Sequence, residues 1–165
     1  MRYRDVFVWA TAAALLFHLG FLVPVIAGPA MVGFLVCLYR LTWVPSKRWA
    51  FYLGTGLGFL LYAPQLHFFW GIFGPAAVSL WLILGLWGGL YLLLCRFAVT
   101  RWPKWGVLAI PFLWFGCEYI RSELYYLRFA WLTPGFALSA PPWQRWLVGG
   151  AYFFSFAVLL CVVLW

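Results

Sequence analysis

Charged residues in this chain are confined to short gaps between long apolar runs. Only 8% of the 165 residues are charged, whereas 67% are hydrophobic and 24% are aromatic. Soluble domains carry roughly 25% charged residues, which they need to cover a surface that faces water. The pattern therefore indicates that lipid, and not water, is the solvent around most of this chain.

Six apolar segments come near the length of a membrane span. A helix needs about 20 apolar residues to cross roughly 30 Å of hydrocarbon. The sequence thus predicts an all-α integral membrane protein with about six transmembrane helices in a bundle, forming one polytopic domain over residues 1–165. The predicted spans are about 6–23, 25–43, 49–70, 76–99, 105–120 and 146–165, with an outer loop at about 121–145.

Pro64 lies inside the third segment and predicts a kink there. Only 15 residues separate Arg48 from Pro64, which is about 22 Å of helix and too short to span. We therefore expect the helix to kink at Pro64 and to continue to about Trp70, since proline removes one backbone hydrogen bond. Gln65 and His67 follow the kink and are expected to face a cavity rather than lipid.

Two pairs of glycines have the spacing Gly-x-x-x-Gly. They are Gly54 with Gly58 and Gly85 with Gly89. This spacing lets helix backbones approach closely in lipid. We interpret it as packing of the third helix against the fourth, in preference to dimerisation.

Basic residues are distributed unequally between the two sets of loops. Cytoplasmic loops carry an excess of lysine and arginine. With six spans, eight basic residues share the side of the N-terminus and three lie opposite, which predicts a cytoplasmic N-terminus and an outer loop at 121–145. The eight are Arg2, Arg4, Arg40, Lys47, Arg48, Arg96, Arg101 and Lys104, and the three are Arg121, Arg128 and Arg145.

The stretch 114–131 interrupts the apolar pattern with charge. It contains Glu118 and Glu123, two of the three acidic residues in the chain, together with Arg121 and Arg128. Glu118 and Arg121 are three residues apart, so they share a helix face and can pair. Two interpretations stay open. Composition slightly favours an interfacial anchor, in which aromatic rings surround an ion pair, over a polar pocket for a lipid headgroup or an acyl ester.

The spacing of other reactive residues argues against several kinds of site. His18 and His67 have no second ligand nearby, so no metal site is expected. The four cysteines lie in apolar runs, and no histidine or lysine is near Cys117 to activate its thiol. Basic residues form no continuous face, so no nucleic-acid partner is expected. No acidic residue lies in mid-span, which argues against an ion-coupled transporter.

Four motifs follow one another in the second half of the chain. Residues 109–121 read Ala-Ile-Pro-Phe-Leu-Trp-Phe-Gly-Cys-Glu-Tyr-Ile-Arg, and residues 129–135 read Phe-Ala-Trp-Leu-Thr-Pro-Gly. Pro-Pro-Trp-Gln at 141–144 and Gly-Ala-Tyr-Phe-Phe-Ser-Phe at 150–156 come next. This order resembles that of bacterial apolipoprotein N-acyltransferases, in which a Glu-aromatic-aliphatic-Arg motif precedes a Phe-Pro-Trp-x-x-x-Gly-like element. Ala130 departs from the usual proline of that element.

The resemblance implies the membrane domain of an enzyme that passes an acyl chain from phospholipid to the N-terminal diacylglyceryl-cysteine of lipoproteins. Both substrates would be held at the outer leaflet of the bacterial cytoplasmic (inner) membrane. Glu118 and Arg121 match the polar motif of the family and Trp131 matches its loop tryptophan, which implies roles in substrate binding or loop docking. No cofactor is implied.

The chemistry of that family belongs to a nitrilase-like α/β domain with a Glu-Lys-Cys triad, which forms a thioester with the acyl group. The chain ends at Trp165, before such a domain would begin. We therefore assign no catalytic residue here and expect a nitrilase-like domain or subunit as a partner. Whether the chain serves an enzyme stays open. The alternative is a non-catalytic membrane scaffold, or a subunit that binds lipid or a partner.

Overall fold

The computed structural model describes residues 3–147 and 150–165, and its regular structure is helical. Strands are absent from these described ranges, so the predicted all-α fold is confirmed there. Seven α-helices are connected by short 3-10 turns and by one π-helical turn. Their bounds are α1 Tyr3–Leu22, α2 Ala27–Leu41, α3 Lys47–Gln65, α4 Phe68–Phe73, α5 Ala76–Arg101, α6 Ala109–Tyr119 and α7 Ala151–Leu164.

Three helical segments of the described chain are long and apolar enough to cross a membrane. They are Arg4–Leu22, Pro24–Leu41 and Ala76–Arg101. The 14-residue α7 is apolar but shorter. The predicted sixth span begins at Trp146, and residues 148–149 of it lie outside the described ranges. Arg2, one of the basic residues used to predict the orientation, lies outside them as well. Six spans and the orientation derived from them therefore stay predictions.

The third predicted span is divided between two helices. α3 begins at Lys47, where the Ser46 hydroxyl caps it by accepting a hydrogen bond from the Trp49 amide at 3.2 Å. It passes through Pro64, ends at Gln65, and is followed by the separate six-residue α4. The prediction of one kinked helix reaching Trp70 is therefore wrong. The backbone leaves helical geometry at Leu66, whose φ is −109° and ψ is 25°.

His18 of α1 stabilises the end of α3. Pro64 has no amide hydrogen, so the carbonyl of Leu60, four residues earlier, has no intrahelical donor. The His18 Nε2 atom lies 3.1 Å from this carbonyl oxygen, and Nδ1 lies 3.1 Å from Nε2 of Gln65. Since a carbonyl can only accept, His18 donates from Nε2 and accepts the Gln65 N–H at Nδ1. The Gln65 side chain thus contacts His18 of α1. His67 is exposed, and its Nδ1 atom donates a hydrogen bond to the Pro64 carbonyl.

Replacing His18 with phenylalanine should destabilise the bundle because the Leu60 carbonyl loses its donor. We expect a cost of about 1–3 kcal/mol, measured as thermal unfolding of the detergent-solubilised chain. In a Pro64→Ala background the new amide of residue 64 can bond to Leu60, so the same substitution should cost less. An equal loss in both backgrounds would contradict this account, and His67→Phe is the control at an exposed histidine.

Close packing of α3 on α5 forms the most extensive contact between described helices. Gly54 faces the carbonyl of Gly88, and a Cβ atom added at Gly58 would lie 2.8 Å from the Cα atom of Gly85. A Cβ atom at Gly85 would lie 2.7 Å from the Thr55 carbonyl oxygen. The glycine spacing therefore predicts this contact correctly, because only glycine lets the two backbones come so close.

The segment between α6 and α7 is anchored to the start of α2 by Trp143. The indole N–H of Trp143 lies 2.9 Å from the carbonyl oxygen of Pro24 and 3.0 Å from that of Val25. Its ring covers Gly28, where an added Cβ atom would lie 2.5 Å from the ring. This contact brings the α6–α7 segment back over the bundle, so that Leu132 and Pro134 line a cavity inside it.

Candidate functional site

The end of α6 and the π-helical turn that follows it place three polar residues in the interior. Ile120–Leu124 forms this turn, which the Tyr125 amide closes by donating to the Ile120 carbonyl at 2.7 Å. The extra residue in such a turn shifts the side chains that follow it, and π turns are frequent at functional sites. Glu118, Arg121 and Ser122 are each only 3% exposed. Burial of two charged groups in an apolar bundle is costly and therefore informative.

The side chains of Glu118 and Arg121 line one cavity of about 50 Å³. A cavity needs roughly 10–15 Å³ to hold a water molecule, so this one has room for water or for a small polar group. Its wall is otherwise mostly apolar and comes from α1, α2, α3, α5, α6 and the α6–α7 segment. The lining residues from these helices include Phe17, Phe34, Leu38, Leu57, Leu61, Trp87, Leu92 and Trp114.

Arg121 connects the π turn to α3 through Tyr62. Its guanidinium group donates a hydrogen bond to the Tyr62 hydroxyl and lies 5.3 Å from the centroid of the same ring. The Arg121 carbonyl oxygen accepts a hydrogen bond from the Phe129 amide at 3.2 Å. The arginine is therefore fixed at the cavity wall by contacts with both α3 and the α6–α7 segment.

Glu118 is the least satisfied polar group of the cavity. Both carboxyl oxygens are buried and have no hydrogen-bond partner among the residues that the structure describes. The Trp114 indole N–H and the Ser155 hydroxyl lie beside the carboxyl group, but neither completes a hydrogen bond. Arg121 is close enough to interact with Glu118 electrostatically. The predicted pair thus shares one cavity, while the hydrogen bond of Arg121 goes to Tyr62.

Trp131, the third predicted site residue, lies elsewhere. It is 57% exposed. Its ring is parallel to that of Phe69 with 6.5 Å between centroids, and the centroid of Phe129 is 5.6 Å away. It does not line the cavity, although its neighbour Leu132 does. The structure therefore brings Glu118 and Arg121 together and places Trp131 on an outer aromatic surface beside α4.

The other two charges of the stretch 114–131 are at the surface. Glu123 is exposed and accepts a hydrogen bond from the Tyr152 hydroxyl at 2.9 Å. Arg128 is exposed and has a positive φ of 42° in the segment after the π turn. The stretch thus divides into an inner pair, Glu118 with Arg121, and an outer pair, Glu123 with Arg128.

Sequence reasoning did not identify Tyr62, Tyr91 and Ser155 as neighbours of Glu118 and Arg121. Tyr62 lies 59 residues before Arg121 in the chain, and no local pattern connects the two. Ser155 lies within the motif at 150–156, but that motif gave no reason to turn its hydroxyl toward Glu118. Gln65 and His67, which we expected to face a cavity, are not among the residues that line this one.

The remaining reactive side chains of the described ranges form no separate centre. No group of three or more His, Cys, Asp or Glu residues there could hold a metal ion. Cys37 and Cys95 are buried in the core, and Cys117 lies at the cavity beside Glu118. All four cysteines of the chain are free thiols.

Comparison with protein families finds a match for most of the chain. A family model described as apolipoprotein N-acyltransferase N-terminal domain matches residues 10–164. No curated protein and no solved structure matches the chain.

Proposed function

Because the chain belongs to the family of apolipoprotein N-acyltransferase N-terminal domains, we propose that it holds lipid substrates for lipoprotein N-acylation. It is the membrane domain of an apolipoprotein N-acyltransferase-like protein. In the complete enzyme an acyl chain passes from a phospholipid to the amine of a diacylglyceryl-cysteine. The domain lies in the inner membrane of a bacterium with its N-terminus in the cytoplasm, an orientation that the unequal distribution of basic residues supports.

The observation that carries this proposal is the buried pair of Glu118 and Arg121 on a largely apolar cavity. An interfacial anchor would keep its charges in the headgroup region, where water and phosphate solvate them. Here both charges are buried, and the glutamate lacks partners among the described residues. A polar group beside a mostly apolar wall suits the polar end of a molecule that is apolar along the rest, such as a lipid.

We assign substrate positioning to Glu118 and Arg121, and contact with the lipid interface or a docked loop to Trp131. Trp131 suits that role because its exposed ring continues the aromatic surface of Phe68 and Phe69, and tryptophan favours the membrane–water interface. No residue of this chain is assigned the acyl transfer itself. A nitrilase-like domain, elsewhere in the same protein or on a partner chain, supplies it.

The alternative function is a non-catalytic scaffold that keeps the fold and binds lipid or a partner. The buried pair supports this scaffold as well as it supports the membrane domain of an enzyme, since lipid binding alone would use the same cavity. The two functions separate at the acyl-transfer step, so acylation of a diacylglyceryl-cysteine peptide in the presence of a nitrilase-like domain decides between them.

Removing both buried charges should weaken the binding of phospholipid and of a diacylglyceryl-cysteine peptide. The double variant Glu118→Gln/Arg121→Met keeps the side-chain volumes nearly constant and leaves neither charge unpaired. We expect affinity to fall about tenfold or more, as for the loss of one or two hydrogen bonds to charged groups. Binding can be measured by native mass spectrometry of the chain in lipid nanodiscs.

The matched control for this binding experiment is Glu123→Gln/Arg128→Met, which removes the outer pair. Its binding should equal that of the wild type because neither residue lines the cavity. If the inner double variant keeps its fold and binds as tightly as the control, the pocket interpretation fails and the pair is only an anchor.

A further inference from the structure

Two basic side chains meet where the turn between α2 and α3 packs against the end of α5. The Lys47 ammonium group lies 4.7 Å from the centroid of the Phe97 ring. The Arg96 guanidinium group donates a hydrogen bond to the Pro45 carbonyl oxygen at 3.4 Å. Both contacts join the α2–α3 turn to the same turn of α5, so the two cations lie at one junction. We call Lys47 and Arg96 the basic pair.

The basic pair has unused hydrogen-bond donors and no acidic partner. Lysine has three N–H donors and arginine has five, whereas the contacts at the junction are one aromatic ring for Lys47 and one carbonyl for Arg96. Neither cation forms an ion pair with an acidic side chain in the described part of the chain. Arg48, the next residue of α3, is exposed and adds a third positive charge. The junction therefore suits an anion.

An apolar groove lies between α3 and α5, next to the basic pair. Its volume is about 320 Å³, and its lining residues are aromatic or aliphatic: Phe51, Ile83, Leu86, Trp87, Leu90 and Tyr125. On α3, Phe51 lies one turn after Lys47. On α5, Leu90 lies two turns before Phe97. Residues at these spacings share a helix face, so the groove begins beside the contact between Lys47 and Phe97 and continues along the bundle.

The exposed rings at this end of α5 place the basic pair at the level of lipid headgroups. Phe97 is 44% exposed and Trp102 is 52% exposed, and their rings meet edge to face at 6.3 Å. Tryptophan is enriched at the membrane–water interface, where its ring sits at the headgroup level. From Phe97 to Ile83, α5 rises about 21 Å, and one leaflet holds about 15 Å of hydrocarbon. An acyl chain whose phosphate is at the basic pair therefore fits along the groove.

The combination of cations and groove selects an anionic phospholipid over other anions. A free phosphate would use the basic pair but would leave the groove without a ligand. A zwitterionic phospholipid would bring an ammonium group close to three cations, and like charges repel. A phospholipid with a net negative charge suits both the basic pair and the groove, and basic pockets between helices are known to bind such headgroups at the cytoplasmic side of membranes.

We propose that the basic pair and the groove together bind one anionic phospholipid, with its phosphate between Lys47 and Arg96 and one acyl chain along Phe51, Leu86 and Leu90. The lipid contacts the α2–α3 turn, α3 and α5 at once, so its binding stabilises the packing of these elements. It is not a substrate. With the N-terminus in the cytoplasm this site faces the cytoplasmic leaflet, whereas the proposed substrates are held at the outer leaflet, so the inference does not depend on the proposed acyl transfer.

Two lipids with the same acyl chains and different headgroups test this proposal. The wild-type chain is placed in nanodiscs that contain equal amounts of dioleoyl-phosphatidylglycerol and dioleoyl-phosphatidylcholine, and native mass spectrometry identifies the lipids that stay bound after transfer to detergent. Phosphatidylglycerol should be retained over phosphatidylcholine by about tenfold, the size expected for a hydrogen bond between charged groups. Equal retention of the two lipids would overturn the inference and leave the proposed function intact.

Lys47→Gln/Arg96→Gln should remove the preference for phosphatidylglycerol, because the phosphate loses both cations. The matched control is Arg128→Gln/Arg145→Gln, which removes two exposed positive charges from the α6–α7 segment. This control should keep the preference. An equal loss in the two double variants would show that the preference follows the net charge of the chain, and the site would be refuted.

A second pair of variants tests the groove. Leu90→Trp fills it and should lower the retention of phosphatidylglycerol, whereas Leu82→Trp, on α5 outside the groove and 48% exposed, should not. Glycerophosphoglycerol, which is the same headgroup without acyl chains, should not displace the lipid when it is added in excess. Equal retention by the two tryptophan variants, or displacement by the soluble headgroup, would show that the acyl chain does not lie in the groove and would contradict the proposal.

Discussion

Replacing Arg121 with methionine should lower the stability of the bundle by about 3–5 kcal/mol, because the substitution leaves Glu118 as a buried charge without compensation. For a chain of this size the melting temperature should fall by roughly 10 °C. Methionine fills most of the space of the arginine stem, so the loss reflects charge and the Tyr62 contact more than an empty cavity. The measurement is thermal unfolding of the purified chain in detergent, followed by tryptophan fluorescence.

A double-mutant cycle separates charge from packing at this position. Adding Glu118→Gln to Arg121→Met removes both charges, and most of the lost stability should return. Glu118→Gln alone should also lower stability, since it leaves the buried Arg121 guanidinium group without an opposite charge. The control is Arg128→Met at the exposed outer pair. If Arg121→Met melts at the same temperature as Arg128→Met, Arg121 does not compensate a buried Glu118.

Leucine at position 58 should disrupt the contact between α3 and α5 more severely than any surface substitution. The Cβ atom alone would lie 2.8 Å from the Gly85 Cα atom and 2.9 Å from its carbonyl oxygen, and backbone cannot move aside as a flexible side chain can. The helices must separate, at an expected cost of about 3 kcal/mol or more. Loss of the folded fraction in size-exclusion chromatography and a lower melting temperature would report this.

Gly56→Leu is the matched control for the leucine substitution. It lies in the same helix, two residues before Gly58, and a Cβ atom there meets nothing within 4 Å. The variant should fold like the wild type, because leucine is the better helix former. Equal melting temperatures for Gly56→Leu and Gly58→Leu would show that α3 does not pack on α5 through this face.

The parts of the fold that follow from local pattern could be predicted from the sequence. Apolar runs predicted helices, and the glycine spacing predicted the α3–α5 contact. Both patterns can be read in the sequence because they involve residues within one or two helix turns. The end of α3 could not be predicted in the same way. Pro64 predicts that the Leu60 carbonyl has no donor within the helix. Its actual donor is His18, which lies 42 residues earlier in the chain. A distant partner of this kind leaves no local signal.

The candidate site could also be predicted only in part. Glu118 and Arg121 stand out because charge in an apolar chain is costly, and their spacing places them on one helix face. The π turn that follows, the contact of Arg121 with Tyr62 and the exposed position of Trp131 depend on how the α6–α7 segment packs. Those features come from tertiary contacts across the bundle, which spacing along the chain does not contain.

The central claim is that this membrane domain holds substrates for a nitrilase-like domain that performs the acyl transfer. The most direct test combines the chain, in nanodiscs containing phosphatidylethanolamine, with a nitrilase-like domain encoded in the same reading frame or an adjacent gene. Mass spectrometry then follows a diacylglyceryl-cysteine peptide. We predict that the peptide gains one acyl chain only when both components are present, and that Glu118→Gln/Arg121→Met abolishes most of this gain while Glu123→Gln/Arg128→Met does not. Acylation by the chain alone, or no acylation by the combined components, would contradict the account.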